Sequence, residues 1–189
     1  ARAEGLPLMV HAAESPEEVA FLARGEGPLR EVYGRFAKTP WTPPGTTPVR
    51  HLHALGVLGP TTLLVHGVQV DEEEVGLLAE TGTKVVLCPR SNANLEVGEA
   101  PLALYAKHGV ELALGTDSRG SSPDLDVKNE ARFLWGRAEP RLLVRALMGQ
   151  APKRSVSMEK HLQLLARKPP TWDVEGRGCD MYYWFFGTY

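Results

Sequence analysis

Three apolar runs in the chain end on side chains that bind metals or carry protons. Leu8-Met9-Val10 is followed by His11, Leu63-Leu64-Val65 by His66, and Leu112-Ala113-Leu114-Gly115-Thr116 by Asp117. The first run also places Glu14 three residues beyond its histidine. A neutral imidazole on a rigid strand end is a metal donor, and a nearby carboxylate is a proton carrier, so the set has the makings of hydrolysis at a metal. Each residue also has a plainer reading. His11 and Glu14 can be a surface histidine and a helix-side charge, His66 a core histidine bonded to a backbone carbonyl, and Asp117 the cap of a turn with Ser118. Three polar ends on consecutive strand-like runs weigh against three unrelated placements.

The elements that must position these residues alternate along the chain. Strand-sized runs occupy residues 6–10, 61–65, 84–88 and 110–114. Between them, Ser15-Pro16-Glu17-Glu18 reads as a helix start in which Ser15 caps and Glu18 closes a capping box, with Gly25 as the stop. Asp71 and Glu74 open another helix in the same way, and Gly82 ends it. Short helices are expected over residues 48–55 and 102–108, and a last one over 127–135. Residues 25–50 read as a long cover carrying Trp41 among prolines, and Arg90 to Asn94 as a loop after the third strand. Alternating strands and helices imply right-handed crossovers and a parallel sheet, which makes the fold class α/β. About four βα units amount to half of a (β/α)8 barrel, whose chemistry sits at the carboxyl ends of the strands. An open doubly wound sheet would fit the same alternation, but no Gly-rich phosphate loop follows any strand, so a dinucleotide site is not expected.

The net charge of -2 and the lack of any basic stripe argue against nucleic acid as a partner. The longest apolar runs are strand-sized, too short to span a membrane. Two isolated cysteines, Cys88 and Cys179, make no disulfide framework and point to a reducing cytoplasm. The start, Ala1-Arg2-Ala3-Glu4, reads like the middle of something longer. From about Gly149 the pattern changes, and the chain finishes on Met181-Tyr182-Tyr183-Trp184-Phe185-Phe186. Residues 1–148 are therefore expected to form the half barrel, and 149–189 an atypical tail, either a non-native reading frame or a strand packing an aromatic cluster.

Val10-His11-Ala12-Ala13-Glu14, Val65-His66-Gly67, Cys88-Pro89-Arg90-Ser91-Asn92 and Leu114-Gly115-Thr116-Asp117-Ser118, in this order, resemble the amidohydrolase superfamily. The branch they resemble most is that of adenosine-type deaminases and chlorohydrolases, and the resemblance covers roughly residues 1–148. It implies strands 5 to 8 of a (β/α)8 barrel and one divalent metal, zinc in preference to iron. By motif, His11 and Asp117 would be metal ligands, Glu14 would protonate a ring nitrogen of the substrate, and His66 would orient the attacking water. Ser91 and Asn92 would shape the pocket wall, and Ser121 would contact substrate. Trp41 is read as a platform for a flat base. The implied reaction is hydrolytic deamination of a purine-like or other N-heterocyclic small molecule. The zinc-deaminase signature built on His-x-Glu and Pro-Cys-x-x-Cys is absent, so Cys88 is read as structural.

The resemblance also implies a His-x-His pair on a first strand, and here the chain departs from it. Its His51-Leu52-His53 falls in a predicted helix, where residues two apart point about 200° apart and cannot share a metal. Two ligands alone are fewer than catalytic zinc normally takes. The rival expectations are a catalytically inactive truncated piece of that fold, or an unrelated α/β binding module in which the four groups lie far apart. A half barrel also leaves strand edges open, which favours self-association.

Overall fold

The structure is a computed structural model, and it describes residues 6–37 and 40–135. All of these belong to one compact unit, Ala1–Gln150. The expectation of an atypical tail over 149–189 falls outside the described residues.

Four parallel strands form the sheet in the order β1-β2-β3-β4: β1 Leu8–Ala12, β2 Thr62–His66, β3 Lys84–Leu87 and β4 Leu112–Leu114. Seven helices are described: α1 Pro16–Arg24, α2 Pro28–Phe36, α3 Pro48–Ala54, α4 Glu72–Thr81, α5 Pro89–Asn94, α6 Leu102–His108 and α7 Val127–Trp135. This is the parallel α/β arrangement of four βα units that the sequence predicts. The register pairs His11 with Val65 and Ala12 with His66, so the first two polar strand ends lie level with each other. Leu87 pairs with Leu114, which carries the third end to the same edge of the sheet.

The core lies between the sheet and its helices. Leu64, Val85, Leu87 and Leu112 from the strands pack with Val49 of α3, Val75 and Leu78 of α4, Tyr105 of α6 and Leu134 of α7. β1 is left more open, with Met9 59% and Leu8 36% exposed. That uneven burial is what four βα units give when one face carries helices.

The caps follow the expected chemistry, with two differences. Around α4, Asp71 and Glu74 form both arms of a capping box. At α1, Ser15 accepts from the Glu18 N–H at 3.2 Å, but the Glu18 carboxylate accepts from the backbone N–H of Glu14 at 2.8 Å. The returning arm therefore secures the residue that leaves β1. The second difference is Arg90 to Asn94, expected as a loop and found as α5. Pro89 does not merely end β3; it stands at the first position of a helix, where its missing N–H costs nothing. The His51 and His53 pair lies on α3 as expected.

Candidate metal and catalytic site

His11 is the fourth residue of β1, and its side chain is 58% exposed at the carboxyl edge of the sheet. Its Nε2 lies 3.7 Å from Oδ1 of Asp117, which the segment after β4 delivers. The His11 and His66 rings are 5.3 Å apart, tilted by 45°. One donor atom from each of His11, His66 and Asp117 falls within 4.8 Å of the other two. Glu14 joins them, its Oε1 3.5 Å from His66 Nε2. The four groups therefore converge, and the reading that scatters them does not hold.

Backbone conformation makes the convergence possible. Ala13, His66 and Asp117 have φ of 55°, 76° and 57°, left-handed values that non-glycine residues seldom adopt. Each sits where a strand gives way to the site. Gly67 continues the turn at φ 55°, and its carbonyl accepts from the buried Tyr105 hydroxyl at 2.5 Å. A side chain there would run into that hydroxyl. Gly115 is needed for another reason: a Cβ would stand 2.9 Å from Cγ1 of Val86. The close approach of β4 to β3, and with it the reach of Asp117, depends on that missing atom.

A second ring of side chains orients the first. His66 is fully buried, and its Nδ1 faces Oδ1 of Asn92 at 2.8 Å. The acceptor on that side puts the ring hydrogen on Nδ1 and leaves a lone pair on Nε2. Among the described residues, Nε2 of His66 is the one buried side-chain polar atom with no hydrogen-bond partner. Asp117 Oδ2 accepts from the hydroxyls of Ser91 at 2.7 Å and Ser121 at 2.6 Å, leaving Oδ1 toward His11. Burial pushes the Asp117 carboxyl up, but the Ser121 and Ser91 hydroxyls and the nearby His66 outweigh it and hold it below the ordinary range. Burial pushes the Glu18 carboxyl up, against the backbone hydrogen bonds it accepts beside Glu14. The Cys88 thiol is pushed up to about 12, first by burial and then by the negative charge of Asp117, so it is a poor source of thiolate.

The expected site residues thus fall into two groups. His11, His66, Glu14 and Asp117 meet, and Ser91, Asn92 and Ser121 touch them from behind with buried polar atoms. Trp41 instead stacks on Phe21 of α1 at 4.2 Å and 15°, with Tyr33 of α2 tilted beside it. It anchors the cover that follows β1. Sequence reasoning missed Glu18 as a holder of the Glu14 backbone. It also missed Glu130 of α7, fully buried, whose carboxylate accepts from the Arg90 N–H at 3.0 Å. A carboxylate in an amphipathic stretch reads as a solvated face, and nothing local marks Glu18 as half-buried or Glu130 as buried.

Two histidine nitrogens and a carboxylate oxygen, one of the nitrogens buried and unpartnered, suit a divalent ion of the zinc or iron type. Comparison with known proteins agrees with the geometry. The amidohydrolase family model matches residues 1–158. The chain belongs to the amidohydrolase family. It is 43% identical to an aminodeoxyfutalosine deaminase of Deinococcus radiodurans, over 77% of this chain and 38% of that protein. It is 35% identical to a 5-methylthioadenosine/S-adenosylhomocysteine deaminase of Teredinibacter turnerae, over 68% of this chain and 25% of that one. Among solved structures, a zinc-bound adenosine deaminase from Xanthomonas campestris superposes with a TM-score of 0.55 at 28% identity, covering 77% of this chain and 27% of its own. This amidohydrolase chain therefore spans well under half the length of the relatives it matches.

Proposed function

We propose that the chain carries part of the active site of a metal-dependent aminohydrolase that replaces an exocyclic amine on a purine-like or other N-heterocyclic substrate by oxygen. The observation that carries the reading is the meeting of His11, His66 and Asp117 within 4.8 Å, with Glu14 against His66. The deaminase relatives support the reaction class.

His11 Nε2 and Asp117 would hold the ion, and zinc or iron fits this donor set, with zinc the better supported through the zinc-bound relative. When bound, the ion supplies Lewis acidity that brings the pKa of water toward neutrality. The remaining work falls to the chain's own groups. Asp117 takes a proton from water, and the two serine hydroxyls on its Oδ2 fix how the carboxylate is turned. His66 Nε2, kept as an acceptor by Asn92 on the far side of the ring, orients that water. Glu14 delivers a proton to the ring nitrogen beside the carbon under attack. Water adds its oxygen to that carbon, the carbon–nitrogen bond to the exocyclic amine breaks, and the amine leaves as ammonia with the proton that Asp117 took from water; the proton from Glu14 stays on the ring nitrogen, and the second proton of the water returns to Glu14. Ser91, Asn92 and Ser121 bear on the substrate through the groups they hold, and Trp41 through the cover.

Equilibrium dialysis against zinc at neutral pH tests the reading. One retained equivalent is expected, lost in His11→Ala and Asp117→Ala and kept in Glu14→Gln. In the active assembly, Glu14→Gln should slow ammonia release by about 10²–10⁴-fold, the usual contribution of a positioned proton donor. A parent chain that retains no metal near neutral pH would overturn the proposal.

A further inference from the structure

Glu130 takes no part in the chemistry above, yet it is 0% exposed. Burying a carboxylate is costly unless its oxygens are met by donors, and an apolar side chain would fill the same place at less cost. The donors are informative. Oε2 accepts from the Arg90 N–H at 3.0 Å, and Oε1 shares the Ser122 hydroxyl proton, at 3.3 Å, with the Asp124 carbonyl at 2.9 Å; the Arg90 guanidinium lies 3.7 Å from Oε1. Arg90 precedes Ser91, and Ser122 follows Ser121. Those two serines donate to a single oxygen, Oδ2 of Asp117. They come from separate segments, the start of α5 after β3 and the turn after β4, and Glu130 of α7 bridges both. The Arg90 side chain is braced in turn by Asp124, at 2.8 and 2.9 Å.

We propose that Glu130 is a positioning residue for Asp117. By tying residue 90 to residue 122 it sets the spacing of the Ser91 and Ser121 hydroxyls, which then turn Asp117 so that Oδ1 faces His11. The inference rests on the reading of Asp117 as a metal ligand, and it adds the group that aims it. Groups that orient a ligand from behind are typically worth 10–100-fold in metal affinity.

The test uses Glu130→Ala, Glu130→Gln and Ser122→Ala in the full chain, with two readouts. The first is cobalt(II) or zinc affinity by competition with a chromophoric chelator. Glu130→Ala should weaken it by about 10–100-fold. Glu130→Gln keeps an acceptor for the Arg90 N–H and a polar group for Ser122, and should recover most of the loss. Ser122→Ala removes one arm only, so it should lose less than Glu130→Ala, and it serves where that variant fails to fold. The second readout is the metal-free crystal structure of each variant. Loss of Ser91 or Ser121 from Oδ2 of Asp117 is expected in Glu130→Ala, and a smaller displacement in Ser122→Ala. If both serines stay on Oδ2 in every folded variant, or affinity matches the parent while only stability falls, Glu130 is an anchor of α7 and the proposal is overturned. Should the parent bind no metal, the reading of the site fails, and the metal-free structures still decide whether Glu130 positions Asp117.

Discussion

Replacing Asn92 by alanine removes the acceptor opposite Nδ1 of His66. Both residues are buried, 2% and 0% exposed, and the bond is 2.8 Å long, so no water stands ready to take the amide's place. Leaving a buried donor unpaired costs its desolvation, about 1–3 kcal/mol. With a denaturant slope of about 2 kcal/mol/M in urea, the midpoint should fall by roughly 0.5–1.5 M with the slope unchanged. The melting temperature should fall by about 2–12 °C for a unit near 150 residues. Asn94 supplies the control. It is the last residue of the same short helix and is exposed, so Asn94→Ala should stay within about 0.5 kcal/mol of the parent. The assay is urea unfolding of the three metal-free proteins followed by far-UV circular dichroism. Equal losses in Asn92→Ala and Asn94→Ala would refute the reasoning, because the His66 tautomer would then not depend on Asn92.

Two further outcomes follow from the same contacts. The Arg90 guanidinium beside Asp124 holds that carboxyl well below its ordinary value of 3.8, so the stability it contributes is full above 3.8 and is lost as pH falls through the depressed value. The stability difference between parent and Asp124→Asn, measured in urea across a pH series, should be flat from neutrality down to 3.8 and shrink only below it. A difference that fades between neutrality and 3.8 would contradict the assignment. Gly115→Ala places a methyl 2.9 Å from Cγ1 of Val86, a stiff side chain, and should cost about 1–3 kcal/mol. Adding Val86→Ala should make the pair less destabilised than the sum of the single changes; strict additivity would show that the crowding does not occur.

Much of the fold was legible because its signals are local. Asp71 and Glu74 announce α4 with both arms of a capping box, and Leu102–His108 and Val127–Trp135 fall where apolar spacing puts them. The three polar ends stood out because each breaks an apolar run. The α5 helix did not, because a proline after a strand signals a stop and a helical first position equally well. Glu18 shows the limit of a motif: Ser15-Pro16-Glu17-Glu18 predicts the cap but not that the returning carboxylate reaches Glu14 instead of Ser15. Glu130 was invisible because its two partners, Ser122 and Arg90, lie 8 and 40 residues away in the chain.

Alternation along β2 groups Thr62, Leu64 and His66 on one side, and Leu64 belongs to the helix-side core. By that rule His66 should turn away from His11, yet their rings lie 5.3 Å apart. The rule fails at the residue whose φ of 76° breaks the pleat. Left-handed backbone at a non-glycine residue costs on the order of 1–3 kcal/mol and persists only where the surroundings hold it. At His66 the holders are Asn92 on the ring, and the Tyr105 hydroxyl on the next carbonyl. At Asp117 they are Ser91 and Ser121, and beside Ala13 they are Glu18 and the carbonyl contacts that Ala13 makes to Val68 and Gln69. Each of these three residues thus sits between a strand end and a polar brace. The same strain that turns His66 and Asp117 toward one point is why sequence alternation alone could place the residues at the right edge of the sheet without saying which way they face.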